Sequence, residues 1–126
     1  MSDLIDLLKL LGDGLGKLIS TEETQKKTVA QHFLNLSHTL NAFLPAARDQ
    51  NFDEMKRLEG KTEGLLDSLR QTKSIERVLG ADHAKEFFAT LASVSNAKSL
   101  AAAGGAADLD IIIKAAGYFE AYHETL

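Results

Sequence analysis

Apolar residues recur at three- and four-residue steps from one end of this chain to the other. That period is the helical one, and almost nothing here alternates at the two-residue period of a half-buried strand. β-branched runs are nearly missing, and so are Asn-Gly or Asp-Gly pairs flanked by strand patterns. The one Asp-Gly pair, Asp13-Gly14, lies inside a helical pattern. The spacing predicts an all-α fold. Short connections make successive helices antiparallel neighbours, so the expectation is a compact antiparallel four- or five-helix bundle. The 126 residues match one ordinary domain, taken as 1–126. No unit repeats along the chain, which excludes a solenoid.

Helix one is expected from about Asp3 to Ile19, with Ser2 as its N-cap and Asp3 and Asp6 near the positive end of its dipole. Leu4, Leu8, Leu11, Leu15, Leu18 and Ile19 share its apolar stripe, while Asp6, Lys9, Asp13 and Lys17 lie opposite. Helix two starts near Ser20, which has capping-box spacing to Glu23. Its seam is Val29, Phe33, Leu36, Leu40, Phe43 and Ala47. Pro45 interrupts it, with one more turn expected to about Arg48. Helix three follows Asn51, spaced for capping to Glu54, with Phe52, Met55, Leu58, Thr62, Leu65 and Leu69 inward. Gly60 and Gly64, four apart, leave room for a neighbouring helix to come close. Ser74 opens a short turn to Leu79, which Gly80 ends in C-cap fashion. Helix four is expected to be capped by Asp82, with Ala84, Phe87, Phe88, Leu91 and Val94 inward. The Ala101–Ala107 stretch, with Gly104 and Gly105 inside it, reads as a mobile loop. Helix five then runs from Asp108 or Leu109, burying Leu109, Ile112, Ile113, Ala116, Phe119 and Leu126. The chain stops in helical register without a glycine cap, which raises the reading of an N-terminal domain of a longer protein.

Composition narrows the function classes. There is no cysteine, which excludes disulfides, thiol catalysis and thiolate-held metals. The net charge of −4 argues against nucleic-acid binding. Lys26, Lys27, Lys56, Arg57 and Lys61 form no basic surface with interleaved aromatics. Charges spread through the N-terminus fit neither a secretory signal nor a membrane-spanning helix. The expected setting is cytoplasmic, with membrane association on activation left open.

Catalytic and cofactor patterns fail on inspection. Glu120 and His123 have the Glu-x-x-His spacing of di-iron bundles, which need two copies and further carboxylates; His83 and Glu86 run in the reverse order. His32 and His38 fall on different helix faces, one read as half-buried and one as exposed. Gly12-Asp13-Gly14-Leu15-Gly16-Lys17 lacks the spacing, the Ser or Thr and the preceding strand of a phosphate loop. Asp53, Glu54, Lys56 and Arg57 read as a solvated charged face. No catalytic, cofactor-binding or metal residues are assigned, no cofactor or small-molecule substrate is implied, and an enzyme is not expected.

The first helix carries the one functional hint. It holds nine Leu or Ile in residues 3–19, yet also Gly12, Gly14 and Gly16. Three interior glycines cost a helix about 2–3 kcal/mol against alanine. Two readings stay open. Either the glycines let the helix nestle against its neighbours and the leucines are core, or the helix is held loosely and releases its leucine face to a membrane or another chain.

The order of features resembles a known class. A glycine-containing amphipathic helix is followed by a helix with a Lys26-Lys27 pair and a leucine/phenylalanine seam broken at Leu44-Pro45-Ala46. A third helix from Phe52 to about Arg70 and a short turn to a fourth complete the pattern. This is similar to the N-terminal four-helix bundles of the HeLo-like class, which includes fungal HeLo domains, the mixed-lineage kinase-like pseudokinase bundle, plant resistance domains and bacterial counterparts. The likeness covers most of the chain as pattern. The acidic balance and the Asp-bearing first helix depart from it. The resemblance implies an effector that oligomerises and perturbs membranes in defence or cell-death signalling, with Leu4, Leu8, Leu11, Gly12 and Gly16 as the membrane- or partner-binding residues. The rival expectation is an adaptor, inhibitor or immunity-type bundle that binds one protein partner through a fixed surface.

Overall fold

The structure, a computed structural model, describes residues 4–19, 23–102 and 105–126. Among these residues there are eight helices and no strand, an all-α bundle as the periodicity predicts. They are α1 (Leu4–Asp13), α2 (Leu15–Ile19), α3 (Glu23–Arg48), α4 (Phe52–Gln71), α5 (Ser74–Leu79), α6 (Ala81–Val94), α7 (Ala97–Ala101) and α8 (Gly105–Thr125). The expected caps Ser2 and Ser20 lie outside the described residues. So do Ala103 and Gly104 of the expected Ala101–Ala107 loop; Ala101 itself closes α7 and Gly105 already opens α8.

α3 and α8 form the most extensive helix pair. Val29, Phe33, Leu36, Leu40 and Phe43 of α3 are buried, as are Ile112, Ala115, Ala116 and Phe119 of α8. The Phe33 and Phe119 rings meet at 5.5 Å between centroids, and Phe87 of α6 stands edge-on to Phe119 at 6.2 Å. Such offset and edge contacts suit the ring quadrupoles. α3 runs through Pro45 to Arg48. Proline lacks an N–H, yet the last turn persists because Asp49 N–H donates to Pro45 O at 2.9 Å and Asn51 N–H to Ala46 O at 2.8 Å. Gln50, at φ 53°, turns the chain back into α4.

Asn51 caps α4: its side-chain oxygen accepts from Glu54 N–H at 3.1 Å. The reciprocal half of a capping box does not form, because Glu54 pairs with Arg57, whose Nε donates at 2.9 Å. α4 buries Met55, Leu58, Thr62, Leu66 and Leu69. Leu66 takes the inward place expected of Leu65, which is half-buried, and Phe52 stays 39% exposed with Lys56 Nζ over its ring at 5.7 Å. Thr62 satisfies its buried hydroxyl on Leu58 O at 2.8 Å.

Three local expectations are corrected. Helix one is not continuous: the chain turns at Gly14 and divides it into α1 and α2. Asp82 is not the cap of α6. Gly80, at φ 84°, ends α5 and starts α6, and that left-handed backbone suits a residue without Cβ. Gly60 and Gly64 admit no close helix, because a Cβ on either would meet nothing within 4 Å.

Candidate functional site

α1 packs against α5, α6 and α8. Leu4, Leu7, Leu8 and Leu11 are at most 1% exposed, and Leu15 and Leu18 of α2 are buried beside them. Leu7 lies outside the stripe read from spacing, so the buried face of α1 is wider than expected. Gly12 sits beneath Tyr122: a Cβ there would collide with its hydroxyl and lie 2.9 Å from Cζ and 3.0 Å from Cε1. At Gly14 a Cβ would collide with Val78 Cγ1 of α5. Gly16 is exposed and faces open space. The five residues singled out from sequence therefore divide. Leu4, Leu8 and Leu11 are core, Gly12 is a close-approach position and Gly16 lies at the surface.

Tyr122 clasps α1 to α8. Its hydroxyl donates to Leu8 O at 2.6 Å. Its ring is held by Phe33 at 6.4 Å and by Tyr118, one helical turn away, at 6.0 Å. Desolvation in this crevice, with smaller contributions from Tyr118 and Asp13, raises its pKa to about 12, against a small opposing effect of the Gly12 backbone. The phenol is therefore a neutral donor at any physiological pH. The sequence reading missed Tyr122. Its one available signal was the four-residue spacing of Tyr118 and Tyr122 in the last helix.

Two of the four histidines spend a ring nitrogen on structure. His123 Nδ1 lies 2.9 Å from Ala30 O, joining α8 to α3, and His32 Nδ1 lies 2.7 Å from Thr28 O. His32 is half-buried and His38 exposed, as their spacing predicts. Among the described residues no three His, Asp or Glu side chains gather to hold a metal, and no helix is long and apolar enough to cross a membrane. Glu86 of α6 keeps one carboxylate oxygen from water without a hydrogen-bond partner among the described residues.

Two of the surface cavities outside the α1 contact combine apolar and charged lining. One, of about 510 Å³, lies between α4 and α7 and includes Phe52, Gly60 and Lys98. Its wall is stitched by Ala97 N–H, which donates to Glu59 Oε1 at 2.7 Å. The other, of about 390 Å³, lies where α4, α5 and α6 meet. Ile75, Ala84 and Phe88 supply apolar lining, and Arg70, Lys73, Lys85 and Glu76 stand around it. The Arg70 guanidinium lies over the Phe88 ring at 4.7 Å, a favourable cation–π placement. It also donates to Asp67 at 2.7 Å, so the head group is held from two sides. Lys73, at φ 62°, forms the turn between α4 and α5.

No family model matches this chain, and neither a curated protein nor a solved structure matches it.

Proposed function

We propose that this protein is a non-catalytic helical interaction module that works in its closed form, binding a protein partner through a fixed outer surface. The observation that carries this reading is the burial of the α1 leucines. Returning four buried leucines to water costs about 1.5–3 kcal/mol each, or about 6–12 kcal/mol together. A domain of this size has only about 5–15 kcal/mol of total stability. Release of α1 into water therefore costs about as much as unfolding, and the surface offered to partners is the one already outside.

A second reading keeps α1 as a membrane-active effector, in line with the HeLo-like resemblance. It is favoured by the break at Gly14, which makes α1 a separate ten-residue helix that can move without α2. Its leucine face would have to pass directly from the core to lipid or to another chain.

Amide exchange and liposome dye release on the intact chain separate the two. The closed-form reading expects Leu8 and Leu11 amides as protected as those of Phe33 and Phe119, and no release from anionic or neutral vesicles. Exchange of α1 at the rate of exposed turns, together with dye release, would overturn it in favour of the effector.

A further inference from the structure

We infer that the 390 Å³ cavity where α4, α5 and α6 meet binds a small amphipathic anion, a short-chain alkyl carboxylate. This adds a small ligand to the closed-form reading and does not depend on it.

Small side chains open the space. Ala81, Ala84 and Ala89 of α6 line the cavity, where larger residues would fill it. Ala81 and Ala89 are exposed and form its α6 wall. Ile75, Ala84 and Phe88, each at most 5% exposed, form the deeper lining. The volume stands at the low end of the range for ligand pockets, so the guest is small. The facing turn is fixed before any ligand arrives. Thr72 Oγ donates to Leu69 O at 2.6 Å and accepts from Ser74 N–H at 3.2 Å. Gln25 Nε2 of α3 donates to Thr72 O at 3.2 Å. These bonds pin the turn that carries Lys73 and leads into Ile75 and Glu76, and a site already in shape loses less on binding.

The charges on the lining decide what the guest carries. Arg70 is already occupied: its guanidinium lies over the Phe88 ring and is paired with Asp67. Lys73, Lys85 and Glu76 are exposed and form no ion pair among the described residues. The unspent lining charge is therefore two cations against one carboxylate, a surplus of one positive charge on a chain whose total is −4. A monoanion offsets that surplus, and a carboxylate accepts charge-assisted hydrogen bonds from lysine. Arg70 also decides the apolar part. Its guanidinium takes a face of the one aromatic ring on the lining, and the rest of the apolar lining is aliphatic. An alkyl chain therefore suits the cavity better than a ring that would need to stack.

Titration of the isotope-labelled chain, followed by its amide shifts, tests this. Octanoate is the probe, with octanol and octylammonium as its neutral and charge-inverted counterparts. Octanoate should shift the amides of residues 72–76 and 81–89 saturably, in the millimolar range expected of so small a guest. Octanol should bind there about tenfold more weakly, the worth of a charge-assisted hydrogen bond, and octylammonium more weakly still. Lys73→Gln with Lys85→Gln should bring octanoate down to the level of octanol and leave octanol unchanged, a loss that a damaged fold would not confine to the anion. Glutamine already stands at a positive φ at Gln50, so it suits the backbone of Lys73. Ala81→Leu with Ala89→Leu, both at exposed helix positions, should fill the cavity and abolish the shifts. The site would be overturned by the absence of a saturable shift up to tens of millimolar, by equal shifts from the three amphiphiles, or by shifts spread over the whole bundle. The α1 exchange that tests the closed-form reading is measured on the chain without octanoate, so either proposal can fail while the other stands.

Discussion

Three glycines close together in a leucine-rich segment have one sequence pattern and three different environments. Gly12 is tight because the Tyr122 ring lies on it, and Gly14 because Val78 does, while Gly16 faces open space. A Cβ at Gly12 cannot simply displace the ring, since Tyr122 is held by Leu8 O, Phe33 and Tyr118. Gly12→Ala should therefore lower stability by about 1–3 kcal/mol, the usual cost of overpacking. Gly16→Ala should raise it by about 0.5–1 kcal/mol, because alanine restricts the unfolded chain and meets nothing in the folded one. Urea titration of the two variants checks both signs. The sequence reading treated the three as one signal, because spacing along a helix carries no record of what will press on it from another.

Two kinds of contact hold the helices together, and they differed in legibility. The seams of α3, α6 and α8 were largely readable, because an amphipathic helix must turn its apolar stripe inward. The polar ties were not: Tyr122 to Leu8 spans 114 residues, His123 to Ala30 spans 93 and Ala97 to Glu59 spans 38. The Tyr122 tie has a measurable pH signature. Its folded pKa of about 12 stands above the ordinary phenol value of 10.0. In that window the native state keeps a proton the unfolded chain has lost. The contribution is complete below pH 10 and fades as pH rises toward 12. The difference in stability between wild type and Tyr122→Phe should therefore shrink across that interval, as read from unfolding midpoints at stepped pH. Unchanged spacing of the two curves would show that the phenol is not held in this environment.

At the scale of the molecule, α1 belongs to the same core as the long helices. Leu4, Leu7, Leu8 and Leu11 join Phe33, Leu36, Phe87, Leu91 and Phe119 in one buried cluster. Leu8→Glu with Leu11→Glu would put two carboxylates where water cannot reach, at a cost beyond the stability of the domain. That double variant should lose its helical circular dichroism at neutral pH rather than expose a mobile α1. A variant that keeps its helix content and cooperative melting would mean that α1 is dispensable to the core and free to act elsewhere. Leu10 is the contrasting position: exposed and outside the core cluster, it can carry a charge while the bundle stands.

The sequence alone determined the all-α class, the seams of the long helices, the Asn51 cap and the persistence of the chain past Pro45. Each of these follows from periodicity or from groups a few residues apart. Tertiary structure alone decided that Gly12 and Gly14 are contact points and Gly16, Gly60 and Gly64 are not. It also decided that Tyr122 ties the last helix to the first, and that Arg70, Lys73, Lys85 and Phe88 meet around one cavity. These depend on which helix faces come together. Helical periodicity dictates that a stripe is buried, but side chains brought together from distant segments decide what it is buried against.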